Sequence, residues 1–303
     1  MTDSDDQSRL QSHNGQTRAG ELAPILAHLN AGPSRTWSLI ITVFGDSIMP
    51  RGQAVWLGTL LSLFRALDIG DGVVRTAMSR LTADGWLERT KVGRNSYYSL
   101  GEAGKSAFGR AADQIYTRRP PAWPGYFDLY IADPAQNPDF VRLAGEAAFG
   151  FIGGDAWIAP GGDDINVGGV IRLKLTGQPQ ELQALGQRAW VLDATAEAYR
   201  RFMLGFEPLG DALKSGLKLS ELDALLTRTL LIHAYRRIVL RDPLLPLEIL
   251  PEDWPGTAAR SLCGFIYRRV LDQSERWLDD NAIGADGQRL AANPAIVGAR
   301  FRD

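Results

Sequence analysis

The chain has 303 residues, more than one typical domain, with 45% hydrophobic and 22% charged side chains, the proportions of a globular protein with a real core. A formal net charge of −2 excludes a general nucleic-acid coat. The single cysteine, Cys263, excludes an internal disulfide and a cysteine-based zinc site, and its setting in SLCGFIY reads as a small core residue of a helix.

Residues 1–33 open as a polar, acidic, flexible tail, with one or two helical turns over 21–30. No basic segment followed by an apolar one marks a signal peptide, and no apolar run is long enough to span a bilayer, so a cytoplasmic protein is expected. Trp37, Ile40, Ile41 and Phe44 predict a first helix. The apolar run over 55–67 predicts a second, stopped by Asp68-Ile69-Gly70. In the third, Val73, Ala77 and Leu81 recur at i, i+4 and i+8 with Val74 and Met78 beside them, so one stripe faces a core. Asp71 is its candidate N-cap and Gly85 its stop. The opposite face carries Arg75, Thr76, Ser79 and Ala83, with Arg80 at the boundary. Strands over 86–91 and 96–100 follow, joined by Val92-Gly93-Arg94-Asn95, where Gly93 and Asn95 tolerate positive φ.

A short cationic helix followed by a basic hairpin is the reading end of a winged helix-turn-helix. Duplex DNA is therefore the first candidate partner. Arg75, Thr76, Ser79 and Arg80 are candidates for the major groove, because arginine can address guanine with two bonds and hydroxyls reach bases or phosphates. Arg51 is a candidate phosphate contact at the entry to the second helix. Lys91, Arg94 and Asn95 would touch backbone from the wing. Between 34 and 100 there are eight basic and five acidic side chains, a local net charge of +3 against −5 elsewhere.

A polar helix over 101–119 leads out of this module, with Ala107, Ala111 and Ile115 on one side. Pro120-Pro121 and Trp123-Pro124-Gly125 mark a boundary. A strand over 126–131, a helix over 140–149 and strands over 151–159 and 170–175 make a small α+β domain. Helices near 181–206, 218–240 and 256–280 follow, with a Pro-rich loop over 242–255. The stretch from 281 to 303 is Gly/Ala-rich and reads as loose.

Three motifs point elsewhere. VFGDSI, residues 43–48, resembles the first block of the GDSL esterases, with Ser47 as nucleophile. That chemistry needs a downstream Gly-x-Asn-Asp and an Asp-x-x-His. Neither is present: Leu230 stands three positions before His233, and His13 and His28 precede Ser47. GEAGKS, residues 101–106, has the tail of a phosphate-binding loop, but Ser99 occupies the position of its first glycine. Asp163-Asp164 lacks EF-hand spacing and reads as a solvated turn.

The series FGDSI, Pro50-Arg51-Gly52, VRTAMSRL, DGWL and GRNSYY between 38 and 100 resembles the N-terminal domain of the PaaX family, repressors of phenylacetic acid degradation operons. LIHAYRRIVLRDPLLPLEILPEDWPG, residues 231–256, is similar to that family's C-terminal signature. Trp157-Ile158-Ala159-Pro160 stands where the family often has Trp-Leu-His-Pro, so Ala159 departs from the frequent histidine. The resemblance covers roughly residues 34–280. It implies an α+β multidomain fold: a winged helix-turn-helix with a linker helix over 34–119, a ferredoxin-like central domain over 120–180 similar to the CRISPR adaptation nuclease, a helical effector and dimerisation domain over 181–290, and a tail over 291–303. It also implies a homodimer on a pseudo-palindromic operator, with an aryl-acetyl-coenzyme A thioester, phenylacetyl-coenzyme A, as inducer. Neither an enzyme nor a cofactor is expected. The nuclease likeness makes Asp128 and Asp133 metal-ligand candidates, although a structural role is the better reading.

For the effector, His233, Arg236, Arg237 and Arg241 fall at i, i+3, i+4 and i+8, a side suited to anionic phosphates or a thioester carbonyl. The same cations fit a surface cluster pairing with Glu248, Glu252 or Asp253. Trp190, Tyr199, Phe202 and Trp254 are candidates to wall an aryl pocket.

Overall fold

The computed structural model describes residues 36–52, 54–117, 119–120, 122–162 and 168–302. The expected N-terminal tail with its turns over 21–30, and the Asp163-Asp164 turn, lie outside the described residues. The chain is mixed α and β with two small sheets. It divides into two compact units, one made of residues up to 117, 200–240 and 258 onward, the other of 118–199 and 241–257. The expected helical domain over 181–290 is thus shared between the two.

In the first unit α1 (Thr36–Val43) runs on through a π turn (Phe44–Ile48) and a 3-10 turn (Met49–Arg51). FGDSI is therefore helical, and all five of its residues are buried. The second helix starts late: Val55–Trp56 forms β1, paired with Tyr98 and Tyr97, before α2 (Leu57–Arg65) begins. The third helix, α3 (Asp71–Ala83), has Gly70 as its N-cap, so Asp71 is its first residue and not its cap. Its buried stripe is Val74, Met78 and Leu81, at i, i+4 and i+7. That is one position round from the expected stripe, and it leaves Val73 54% exposed. The hairpin is β2 (Leu87–Val92) and β3 (Asn95–Leu100), in a sheet of order β1-β3-β2. Its turn is the two residues Gly93-Arg94. Gly93 takes φ +58° and Arg94 does not go positive, the pattern of a II′ hairpin turn, where glycine leads. Next comes α4 (Glu102–Ala112) with its π turn (Asp113–Thr117).

The second unit is built on a four-stranded antiparallel sheet of order β5-β6-β4-β7, where β4 is Phe127–Ile131, β5 Gly150–Gly153, β6 Ala156–Pro160 and β7 Ile171–Leu175. The single strand expected over 151–159 is two, folded back through Gly153 and Gly154 at positive φ. Between β4 and β5 runs α5 (Pro138–Glu146), which sets Phe140 and Ala144 against Tyr130 and Trp157. After β7, α6 (Pro179–Ala189) sets Leu182 and Ala189 into a core with Phe127, Ile158 and the loop residues Leu245, Ile249 and Leu250. Each such buried side chain contributes about 1.5–3 kcal/mol of transfer free energy. Trp190 turns extended and its indole N–H donates to the Ala148 carbonyl at 2.7 Å, which ends the helix expected over 181–206.

The chain then forms α7 (Asp193–Lys214), α8 (Glu221–Val239), α9 (Gly256–Asn281) and α10 (Pro294–Gly298). Ser220 caps α8, accepting from the Asp223 amide at 3.1 Å, as N-cap serine does. The stretch from 281 onward is not loose. Gly284 bridges to Val55 of β1, the Trp56 amide donates to Ile283 O at 2.8 Å, and Leu290, Val297, Arg300 and Phe301 are buried.

Candidate nucleic-acid interface

With Val74, Met78 and Leu81 turned inward, α3 leaves Arg75, Thr76, Ser79, Arg80 and Ala83 exposed. Most of this face is small, which permits close approach to a groove floor. Thr76 spends its hydroxyl hydrogen on Gly72 O at 2.9 Å, leaving its lone pairs and methyl outward. On the hairpin Lys91, Arg94 and Asn95 are exposed, while Arg89 is held to Ser96 Oγ at 2.7 Å.

Between the start of α2, α3 and the hairpin turn lies a cleft of about 330 Å³, lined by Trp56, Arg65, Arg75, Arg94, Asn95 and Ser96 among others. Three residues singled out from the sequence, Arg75, Arg94 and Asn95, therefore converge. Trp56 and Arg65 were missed, since a tryptophan inside an apolar run and an arginine in a last helical turn carry no distinguishing sequence signal. A Cβ at Gly58 would fall 2.4 Å from the Trp56 ring, so glycine there lets the indole lie across the first turn of α2. Arg65 forms a two-pronged pair with Asp71, Nε to Oδ1 at 2.7 Å and Nη2 to Oδ2 at 2.6 Å. The hydrogen bond from Arg65 holds the Asp71 carboxyl below its ordinary range, with Arg75 adding to the effect.

Arg51 is not part of this surface. Its side chain is fully buried, pairing with Asp279 at 2.7 Å and with Glu275, and donating to Leu290 O. The expected phosphate contact is corrected to an internal ion pair. Glu275 also pairs with Arg228, which in turn donates from Nε to Asp46 Oδ2 at 2.6 Å. Asp46 further accepts from Arg300 at 3.0 Å and from the Tyr116 hydroxyl at 2.6 Å. Burial pushes its carboxyl up, but Arg228 and Arg300 outweigh that and hold it below the ordinary value. Burial likewise pushes the Tyr267 phenol, beside this cluster, to about 12. The aspartate of FGDSI is thus the hub of a buried network that ties the π turn after α1 to Tyr116, Arg228 and Arg300. Ser47, 1% exposed, donates to Asp46 Oδ2 at 3.3 Å, so the esterase reading has no accessible nucleophile.

The expected effector cluster does not form. His233 is fully buried, with Nδ1 3.1 Å from Thr42 Oγ1. Burial, with Arg236 and Arg237 nearby, pushes its pKa down to about 3. Arg236 donates to Thr42 Oγ1 at 2.8 Å and to Ser38 O at 2.9 Å, and burial lowers its pKa to about 10. Both residues join α8 to α1. Arg237 and Arg241 are exposed, but Arg241 belongs to the other unit. Trp190 and Trp254 pack on the core of the second unit, Trp254 edge-on to Tyr199 at 5.9 Å. Phe202 stacks on Phe206 in the first unit, 4.8 Å away. These aromatics are core, not one pocket wall. Asp128 is buried and accepts from Arg172 at 2.9 Å and from the Gly162 amide, and Asp133 caps the turn at Ala135. Among the described residues no cluster of three His, Cys, Asp or Glu is placed to hold a metal. Cys263 is buried in α9, as its setting predicts. No described helix is long and apolar enough to cross a membrane.

Comparison with known proteins accounts for both ends of this architecture. Residues 35–104 match the family model for PaaX-like protein, and residues 190–280 match that for the PaaX-like protein C-terminal domain. The transcriptional repressor PaaX of Escherichia coli (strain K12) is 35% identical over 291 residues, spanning 90% of this chain and 92% of the relative. Among solved structures, the uncharacterized protein Rv0674 from Mycobacterium tuberculosis superposes with a TM-score of 0.52 at 22% identity, over 78% of this chain and 97% of that one; this likeness concerns the fold alone. The shared length, from the Asp46 hub to the end of α9, shows that the chain belongs to the family of PaaX-like proteins.

Proposed function

We propose that the chain is a transcriptional repressor of an aromatic-acid catabolic operon of the phenylacetate type, reading duplex DNA with a winged helix-turn-helix made of α2, α3 and the β2–β3 hairpin. One observation carries this reading: Arg75, Arg94 and Asn95 meet at a solvent-open cleft beside the exposed Thr76, Ser79 and Arg80. Helix residues facing a groove and hairpin residues facing the backbone are the two contact types that specific binding needs. Arg51 drops out of the set; Arg75, Thr76, Ser79, Arg80, Lys91, Arg94 and Asn95 remain. In the second unit, the order β5-β6-β4-β7 with α5 between β4 and β5 supports a ferredoxin-like plan. The link from β6 to β7 carries no helix among the described residues.

The working form is a homodimer in the cytoplasm on a pseudo-palindromic operator, its half-sites about one helical turn, roughly 34–36 Å, or a multiple of it apart. An aryl-acyl-coenzyme A, phenylacetyl-coenzyme A first among them, releases it. Release follows from linkage: the inducer binds the DNA-incompetent arrangement more tightly. A preference of about a hundredfold, roughly 2.7 kcal/mol, empties a marginally occupied site. The test is a mobility shift on the upstream region of the chain's own gene, with and without phenylacetyl-coenzyme A. A retarded band that the thioester, but not free phenylacetate, abolishes supports the proposal. No retardation relative to unrelated DNA overturns it.

A further inference from the structure

We propose that Asp71 sets sequence specificity: its carboxylate fills the fork of Arg65 in the DNA-facing cleft and withholds that cation from phosphates on the wrong sequence. This rests on the DNA-reading proposal above. Both carboxylate oxygens of Asp71 are engaged, at 2.7 and 2.6 Å, by two nitrogens of one guanidinium. Those are the donors that would clasp a phosphate. The pair is open to ligand, with the Arg65 and Asp71 side chains 62% and 33% exposed. Exposed ion pairs contribute little to stability, so the pairing calls for another explanation, and its position supplies one. Arg65 lines the cleft with Arg75 and Arg94, and Asp71 lies one turn before Arg75 on α3. A phosphate entering there meets three cations, the first of them already held by the Asp71 carboxylate.

On non-operator DNA only phosphates are on offer, and Asp71 keeps the Arg65 guanidinium from them. On operator DNA an aspartate at the start of the reading helix can accept a hydrogen bond from the amino group of a cytosine. Asp71 then exchanges Arg65 for the base, and Arg65 is released to the adjacent phosphate. Arg65 is withheld everywhere; the compensating bond exists only where a cytosine stands at that position.

The test measures the full-length chain on its operator and on a scrambled duplex of equal length, across salt. Asp71→Asn is expected to bind the scrambled duplex about three- to tenfold tighter, with the slope of log affinity against log salt steeper by about 0.9. Operator affinity rises less or falls, so the operator-to-scrambled ratio drops. Asp71→Ser, neutral and compatible with a helix start, behaves alike. In an Arg65→Gln background the gain on scrambled DNA disappears, as coupling between the two requires. An unchanged ratio and salt slope in Asp71→Asn, with wild-type operator preference intact, overturns this proposal alone, as does a gain that survives Arg65→Gln. A wild-type chain that binds no duplex overturns it together with the DNA-reading proposal.

Discussion

Arg51 separates a contact with DNA from a contact with the protein itself. Its guanidinium is fully buried and bonded to Glu275, Asp279 and the Leu290 carbonyl. Breaking a buried pair by removing one partner costs about 3–5 kcal/mol. Two features place Arg51→Met at the lower end: Asp279, 56% exposed, can rehydrate, and Glu275 keeps Arg228. The methionine also refills part of the volume. A loss of about 3 kcal/mol, at roughly 2–4 °C per kcal/mol for a unit of this size, lowers the unfolding midpoint by about 6–12 °C. The assay pairs thermal or urea unfolding with operator titrations at several salt concentrations below the new midpoint. Stability should fall while the salt slope stays at the wild-type value. An unchanged midpoint with a slope shallower by about 0.9 would show that Arg51 meets a phosphate and would refute the buried-network account.

Arg75→Ala or Ser79→Ala should weaken operator binding by about 1–3 kcal/mol and relax one operator position, as read by competition with single-base variants. Lys91→Ala should weaken every sequence alike and flatten the salt dependence; identical footprints in all three variants would retire the assignment. Ser47→Ala loses about one buried hydrogen bond, near 1 kcal/mol of stability, and should leave operator binding within about twofold. Loss of an esterase activity in that variant would restore the hydrolase reading. His233 has a pKa of about 3 when folded against the ordinary 6.5, so the unfolded chain binds the extra proton first. Its contribution is complete above pH 6.5 and declines as pH falls towards 3, by on the order of 2 kcal/mol at pH 5. Urea unfolding of wild type and His233→Gln across that window should show a steeper loss in wild type; parallel curves would count against it.

The legible parts of this chain were those governed by neighbours along the sequence. The polar side of α3, the hairpin with Gly93 at its turn and the helices over Glu221–Val239 and Gly256–Asn281 follow from local periodicity and turn chemistry. Even there the stripe was off by one position, because Val73 and Val74 are equivalent in composition and only packing turns the second inward. Charged residues were misread where distant segments bury them. Arg51 and Arg236 look like surface cations in sequence; their partners Asp279 and Thr42 stand 228 and 194 positions away. The aromatic residues proposed to wall a pocket instead fill two cores, since helical spacing does not say what lies opposite.

Asp46 and Arg300 are 254 positions apart yet hydrogen-bonded. On the ribosome the carboxylate emerges 254 residues ahead of this arginine. Until translation reaches that point, Asp46 lacks one of its two arginine partners, and Val55 gains its bridge to Gly284 only shortly before. A polypeptide ending at residue 117, although it contains every side chain proposed to meet the groove, would therefore be born without either arginine that neutralises Asp46.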